Sequence, residues 1–67
     1  MYKFPERLKD LMIELNLTQN KLSKDVSIPQ PTIARWLADQ CRPSVDNLIT
    51  LANYFKCSID YLVGLTD

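Results

Sequence analysis

Apolar residues recur at helical spacing along this whole chain, but never for long. Pro5, Pro29, Pro31, Pro43 and Gly64 cut the pattern into short stretches, and no stretch alternates cleanly in the manner of a strand. Such a chain can only become a set of short helices that hold one another in place, because each piece is too short to be stable alone. With 67 residues, 46% of them hydrophobic, there is material for one domain with an economical core and too much apolar content for disorder. The predicted fold class is therefore all-α, a compact five-helix domain over residues 1–67.

The first helix is expected from about Pro5 to Asn16. Pro5 suits the first helical position and Glu6 the positive end of the helix dipole. Phe4, Leu8, Leu11 and Leu15 would form its apolar stripe. Thr18 is a good cap for a second helix, Gln19 to Val26, with Leu22 and Val26 inward. Ser27-Ile28-Pro29 then connects to a third helix. There Gln30 is expected as the cap, since the residue before a proline is pushed away from helical geometry, and Pro31 as the first helical residue. Ile33, Trp36 and Leu37 would face inward, with the end near Ala38–Asp39. After a loop from Asp39 to Pro43, Ser44 caps a fourth helix with the stripe Val45, Leu48, Leu51, Ala52 and Phe55. That helix ends at Lys56 and Cys57. Ser58 caps a fifth helix with Ile59, Leu62 and Val63 inward, and Gly64 closes it in the left-handed conformation.

Absences exclude much chemistry. There is no His, so no His general base, no His-activated nucleophile and no His metal ligand. The single Gly cannot build a phosphate-cradling loop. Cys41 and Cys57 are too few for a thiolate zinc site and too few for a secreted disulfide framework, which points to reduced thiols in a cytosolic protein. No catalytic constellation, cofactor motif or small-molecule site is evident. No apolar run is long enough for a membrane span, and the start of the chain has no signal-peptide core. Eight basic and eight acidic residues cancel, which rules out coating nucleic acid by bulk charge but leaves a local groove reader open.

The informative segment is Gln19 to Ala38. Two helices joined by three residues must cross steeply, as in a helix-turn-helix. Such a crossing needs a small residue where the helices approach, here Ser23, and apolar residues around it, here Leu22, Val26, Ile28, Ile33 and Trp36. The bland alternative is a generic helical hairpin, which would not need all of these positions together.

The sequence resembles the Cro/CI-type (XRE-like) helix-turn-helix DNA-binding repressors of bacteria and phages, from about Arg7 to Leu65. The resemblance rests on Arg7-Leu8-Lys9, Leu17-Thr18-Gln19, Leu22-Ser23, Ile28, Thr32-Ile33, Arg35-Trp36, Pro43-Ser44 and Leu48-x-x-Leu51-Ala52-x-x-Phe55, with Ser58 to Leu65 at the end. It implies a lambda-repressor-like fold that lays its third helix in the major groove of double-stranded DNA. Carried onto this chain, the residues implied at base edges are Gln30, Pro31, Thr32, Ala34 and Arg35. Gln can bond adenine with both amide ends and Arg can bond guanine O6 and N7. Gln19 is implied as a phosphate ligand, with Asn20 and Lys21 beside it and Gln40 and Arg42 on the far side. Lys24 reads as a solvated charge, and Lys3, Lys9 and Lys56 as facing away.

The resemblance further implies a cytoplasmic, nucleoid-associated regulator acting as a homodimer on a palindromic operator. Tyr54, Tyr61 and Leu65 are candidate anchors for the dimer. A contrasting reading is a protein-interaction module, an antitoxin or regulatory adaptor, that uses the same fold without reading bases. Two departures from the family pattern bear on the structure. Ser27 stands where such turns often carry Gly, so a positive φ would strain it. Met12 and Leu37 stand where many relatives pair a base with an acid, so a packed contact is expected in place of an ion pair.

Overall fold

A computed structural model describes residues 1–66. These form α1 (Phe4–Glu14), α2 (Gln19–Val26), α3 (Gln30–Leu37), α4 (Val45–Phe55) and α5 (Ile59–Val63), with no strand among them. The capping hydroxyls act as their positions predict. Thr18, Ser44 and Ser58 accept from the amides of Lys21, Asn47 and Tyr61 at 3.1, 3.1 and 3.0 Å, each satisfying a donor that the first turn leaves open. α1 has no side-chain cap; instead the Lys3 amide donates to the Val63 carbonyl at 2.9 Å, tying the start of the chain to the end of α5.

All five helices end in the same way. The residue after each helix or its cap turns left-handed: Asn16, Ser27, Asp39, Lys56 and Gly64, with φ of 54, 56, 57, 56 and 93°. The next amide then reaches back across the last turn. Leu17 donates to Met12, Ile28 to Ser23, Gln40 to Arg35, Cys57 to Ala52 and Leu65 to Asp60, at 2.8–3.2 Å. This closure satisfies the last carbonyls and reverses the chain within a few residues. Gly64 is the residue built for it. The approach there is also close: a Cβ at Gly64 would lie 2.8 Å from Lys3 Cβ and 2.9 Å from the Met1 carbonyl oxygen.

The core is drawn from every element: Phe4, Leu8 and Met12 of α1, Leu22 of α2, Ile28 of the turn, Ile33 and Trp36 of α3, Leu51 and Ala52 of α4, and Leu62 of α5. No buried polar or charged residue interrupts it among the described residues. α1 packs on α3 and α5, α2 on α3 and α4, and α4 on α5.

The sequence reading needs correction at four places. α1 stops at Glu14, and Leu15 is 52% exposed rather than part of the stripe. Leu15 is the cap residue, beyond the last full turn, and the chain reversal at Asn16 brings Leu17 back onto the core instead. Met12 completes the buried face of α1. Val45 is 68% exposed although Ala52, which shares its side of the helix at about 100° per residue, is buried; Val45 opens α4 nearly two turns earlier, and the neighbouring elements cover that side only further along. α3 starts one residue early and ends at Leu37. Thr32 and Ile33 both donate to the Pro29 carbonyl, at 3.0 and 3.3 Å, so the first turn closes on Pro29 and Gln30 is already helical. Pro31 then sits second, where an amide would have no intrahelical acceptor in any case. Met12 is buried, and Leu37 is partly buried against the same core.

Ser27 and Lys56 carry the steric cost of a left-handed residue with a Cβ. Ser27→Gly and Lys56→Gly should each raise stability by about 0.5–1 kcal/mol once the extra backbone entropy of glycine is deducted. In thermal denaturation followed by circular dichroism, an unchanged or lowered Tm in both variants would show that these ends are not strained.

Candidate nucleic-acid interface

The site is built on the crossing of α2 and α3. Ser23 is the small residue at the approach, and its hydroxyl donates to the Ile28 carbonyl at 2.5 Å, pinning the turn to the last part of α2. Ser27 takes the left-handed conformation and Ile28 plugs into the core. These features make the three-residue connection a rigid corner. α3 leaves it with Ile33 and Trp36 buried. The opposite face is then determined by the 100° turn per residue. Pro31 and Arg35, one turn apart, lie outermost and are exposed; Thr32 and Ala34 flank them and are half-buried. Gln30 is exposed because it stands at the helix tip.

The flanking candidates fall into two groups. Gln19 is half-buried at the start of α2, with Asn20 and Lys21 exposed beside it. Gln40 and Arg42 are exposed in the loop that follows α3, and the Gln40 amide makes the closing bond to Arg35. The two cations are held differently. Lys21 Nζ lies 3.1 Å from Asp25 Oδ1 one helical turn away. Asp25 Oδ2 accepts from the Tyr54 hydroxyl at 2.6 Å, which joins α2 to α4. The Arg42 guanidinium makes no ion pair or hydrogen bond with the described residues and lies over the Tyr2 ring, 4.0 Å from its centroid. From Val26 to Ala38 the only charged side chain is Arg35, so no acid sits on the exposed face of α3.

Two of the three residues expected as dimer anchors have other work. Tyr54 is committed to Asp25, and Tyr61 lies under the Arg7 guanidinium at 4.4 Å. Leu65 is 73% exposed. Sequence reasoning missed the Asp25–Tyr54 bond and the Tyr2–Arg42 stack. Both join residues far apart along the chain, and no local spacing signals them.

The sequence model of the helix-turn-helix family matches residues 8–62. This chain belongs to that family. The resemblance to the Cro/CI-type, XRE-like group is thereby shown. Two curated helix-turn-helix relatives are similar over 92% of the chain. One is a Bacillus subtilis protein named as an uncharacterized HTH-type transcriptional regulator, YobD, at 32% identity. The other is an Enterococcus faecalis protein named as the HTH-type transcriptional activator BcrR, at 28%. A solved transcriptional regulator from Listeria innocua superposes over the whole chain with a TM-score of 0.90 at 31% identity. The chain spans 55% and 30% of the lengths of the two curated relatives and 63% of the solved one. No helix among the described residues is long and apolar enough to cross a membrane.

The Asp25–Tyr54 bond makes a pH prediction. The Tyr54 hydroxyl and the Lys21 ammonium hold the Asp25 carboxyl below its ordinary value of 3.8, and the same bond raises the Tyr54 phenol above 10.0. A carboxyl with a lowered folded pKa contributes stability that is present above the unfolded value and lost as pH falls through the folded one. A phenol with a raised pKa contributes stability that is present below 10.0 and lost as pH rises through its folded value. Tyr54→Phe should therefore lower Tm modestly at neutral pH, with the difference from wild type narrowing as pH falls below the ordinary carboxyl value of 3.8. Parallel melts across that range would refute the bond's role if the gap stayed constant.

Proposed function

We propose that this chain is a sequence-specific double-stranded DNA-binding regulator that reads bases with the exposed face of α3. The observation that carries this is the acid-free surface of Gln30, Pro31, Thr32, Ala34 and Arg35, held outward by buried Ile33 and Trp36. In this reading Gln30 and Arg35 bond adenine and guanine edges. Thr32 donates or packs its methyl group, and Pro31 and Ala34 give apolar contact with thymine. Gln19, Asn20, Lys21, Gln40 and Arg42 meet phosphates on either side, fixing register without reading sequence. Membership of the helix-turn-helix family and the transcriptional regulators among its relatives support the assignment.

One recognition helix reads only a few base pairs, so we take the active form to be a homodimer on a palindromic operator, with half-sites about 34 Å apart. Leu65 is the anchor among the three expected that remains exposed. Occupancy of a promoter suffices for repression, and occupancy is what this surface supplies, so we read the chain as a cytoplasmic repressor. A promoter–reporter assay tests that direction: expression should rise when the chain is removed, and a fall would make it an activator, as the Enterococcus relative is named.

Selection of bound sequences from a random DNA pool should return a two-fold motif. Arg35→Ala should then cost about 1–3 kcal/mol at a single base pair in each half-site while leaving the others unchanged. A uniform loss over all sequences would make Arg35 a phosphate ligand. Binding that ignores salt, or no binding to DNA at all, would favour a protein-interaction module, because phosphate contacts release counterions and an apolar protein interface does not.

A further inference from the structure

Arg42 follows the recognition helix by a few residues, in the loop that leads to α4. An exposed arginine in a loop ordinarily spends its time in many rotamers, and ordering it on a ligand costs entropy. Here the side chain already has a seat. Its guanidinium carbon lies 4.0 Å from the centroid of the Tyr2 ring. The ring is itself the outer end of a file of aromatics: Tyr2 lies 6.3 Å from Phe4, and Phe4 packs edge-on against Trp36 at 5.7 Å and 77°. Trp36 and Phe4 are fully buried, and the bond from the Lys3 amide to the Val63 carbonyl clamps the backbone beside Tyr2. The file therefore runs from the inner face of α3 to a cation near the end of the same helix.

Two further observations give this stack a purpose. The Tyr2 hydroxyl is sealed from solvent with no hydrogen-bond partner, so the phenol is held by its ring and not by its polar end. Burial pushes its pKa up, against the opposing effect of Arg42, so the ring stays neutral under the guanidinium at physiological pH. The contact is made with the guanidinium carbon over the ring and no hydrogen bond of the group to the described residues is present, so N–H donors that point away from the ring are open to a ligand. Lys21, the cation on the other flank, has its ammonium engaged by Asp25.

We infer that Tyr2 is a positioning residue for nucleic-acid binding: its ring stacks beneath Arg42 and holds the guanidinium at the end of α3 with its donors free for a backbone phosphate. The inference rests on the DNA-binding reading above. Tyr2 touches no DNA in this account and acts through Arg42 alone.

The test is a mutant cycle on the selected DNA, with affinity measured by fluorescence anisotropy over a range of salt. Tyr2→Phe keeps the ring and should bind as wild type does, with a raised Tm because the unpartnered hydroxyl is gone. Tyr2→Leu should weaken binding about three- to tenfold, evenly over operator and variant sequences, in line with loss of one cation–π contact. Arg42→Ala should weaken binding likewise and lower the salt slope by about 0.9 for one lost phosphate contact. Tyr2→Leu should add nothing in the Arg42→Ala background. Arg42→Lys, which does not disturb the Tyr2 packing, should recover less than half of the Arg42 contribution, since an ammonium cannot stack flat and present a fork. Without DNA, the Arg42 side-chain NMR resonances should show a ring-current shift in wild type and Tyr2→Phe that vanishes in Tyr2→Leu. Additive losses, full activity in Arg42→Lys, or a Tyr2→Leu variant that loses Tm but binds as wild type would each overturn the inference while leaving DNA binding intact. Wild-type protein that binds no member of the pool would overturn the DNA-binding reading, and the role of Tyr2 with it.

Discussion

Trp36 decides which way α3 faces. It is the largest buried side chain, it comes from α3, and its edge-on contact with Phe4 joins that helix to the first turn of α1. A helix of eight residues has little stability of its own, so its orientation follows from what it buries. With Trp36 and Ile33 turned inward, the pitch of the helix sends Pro31 and Arg35 outward and leaves Thr32 and Ala34 at the sides. Removing so large a core residue typically costs about 3–5 kcal/mol, a large share of the 5–15 kcal/mol that holds a small domain folded. The exposed face of α3 thus depends on a contact on its opposite side.

The corners are the second constraint. Five helices fit into so short a chain because each ends in a left-handed residue followed by a backward hydrogen bond. The device reverses the chain without spending residues on loops. Four of the five carry a side chain at the strained position. Asn16 and Asp39 are residue types that tolerate it best after glycine, while Ser27 and Lys56 bear more of the cost. At Ser27 the corner is stiffened by the Ser23 hydroxyl on the Ile28 carbonyl, and this corner sets the angle between α2 and α3.

Electrostatics are arranged locally and not in bulk. The net charge is zero, so long-range attraction to a polyanion is weak and contact depends on individual side chains. The two cations flanking α3 are restrained by different means. Lys21 shares a carboxylate with Tyr54, an arrangement that couples α2 to α4 and partly neutralises the lysine. Arg42 is restrained by an aromatic face, which leaves its charge and its donors unmatched. A phosphate near Lys21 would compete with the ion pair to Asp25, whereas Arg42 makes no ion pair among the described residues that a phosphate would have to displace.

Local signals were sufficient for most of the architecture. The hydroxyls at Thr18, Ser44 and Ser58 mark helix starts because capping is a matter of three or four neighbouring residues. The spacing of Leu22, Val26, Ile33 and Trp36 reveals the crossing pair because helical pitch is intrinsic to the backbone. For the same reason the candidate residues from Gln30 to Arg35 could be named before any coordinates. What local pattern could not supply were the left-handed conformation of Asn16, Asp39 and Lys56, where no glycine announces it, the exposure of Leu15 and Val45, which depends on how far neighbouring helices reach, and the partners of Tyr2, Tyr54 and Tyr61. Periodicity along the chain specifies which face of each helix is apolar. Only the packed arrangement determines which distant aromatic meets which charge, because those encounters depend on the angles at which the helices close on one another.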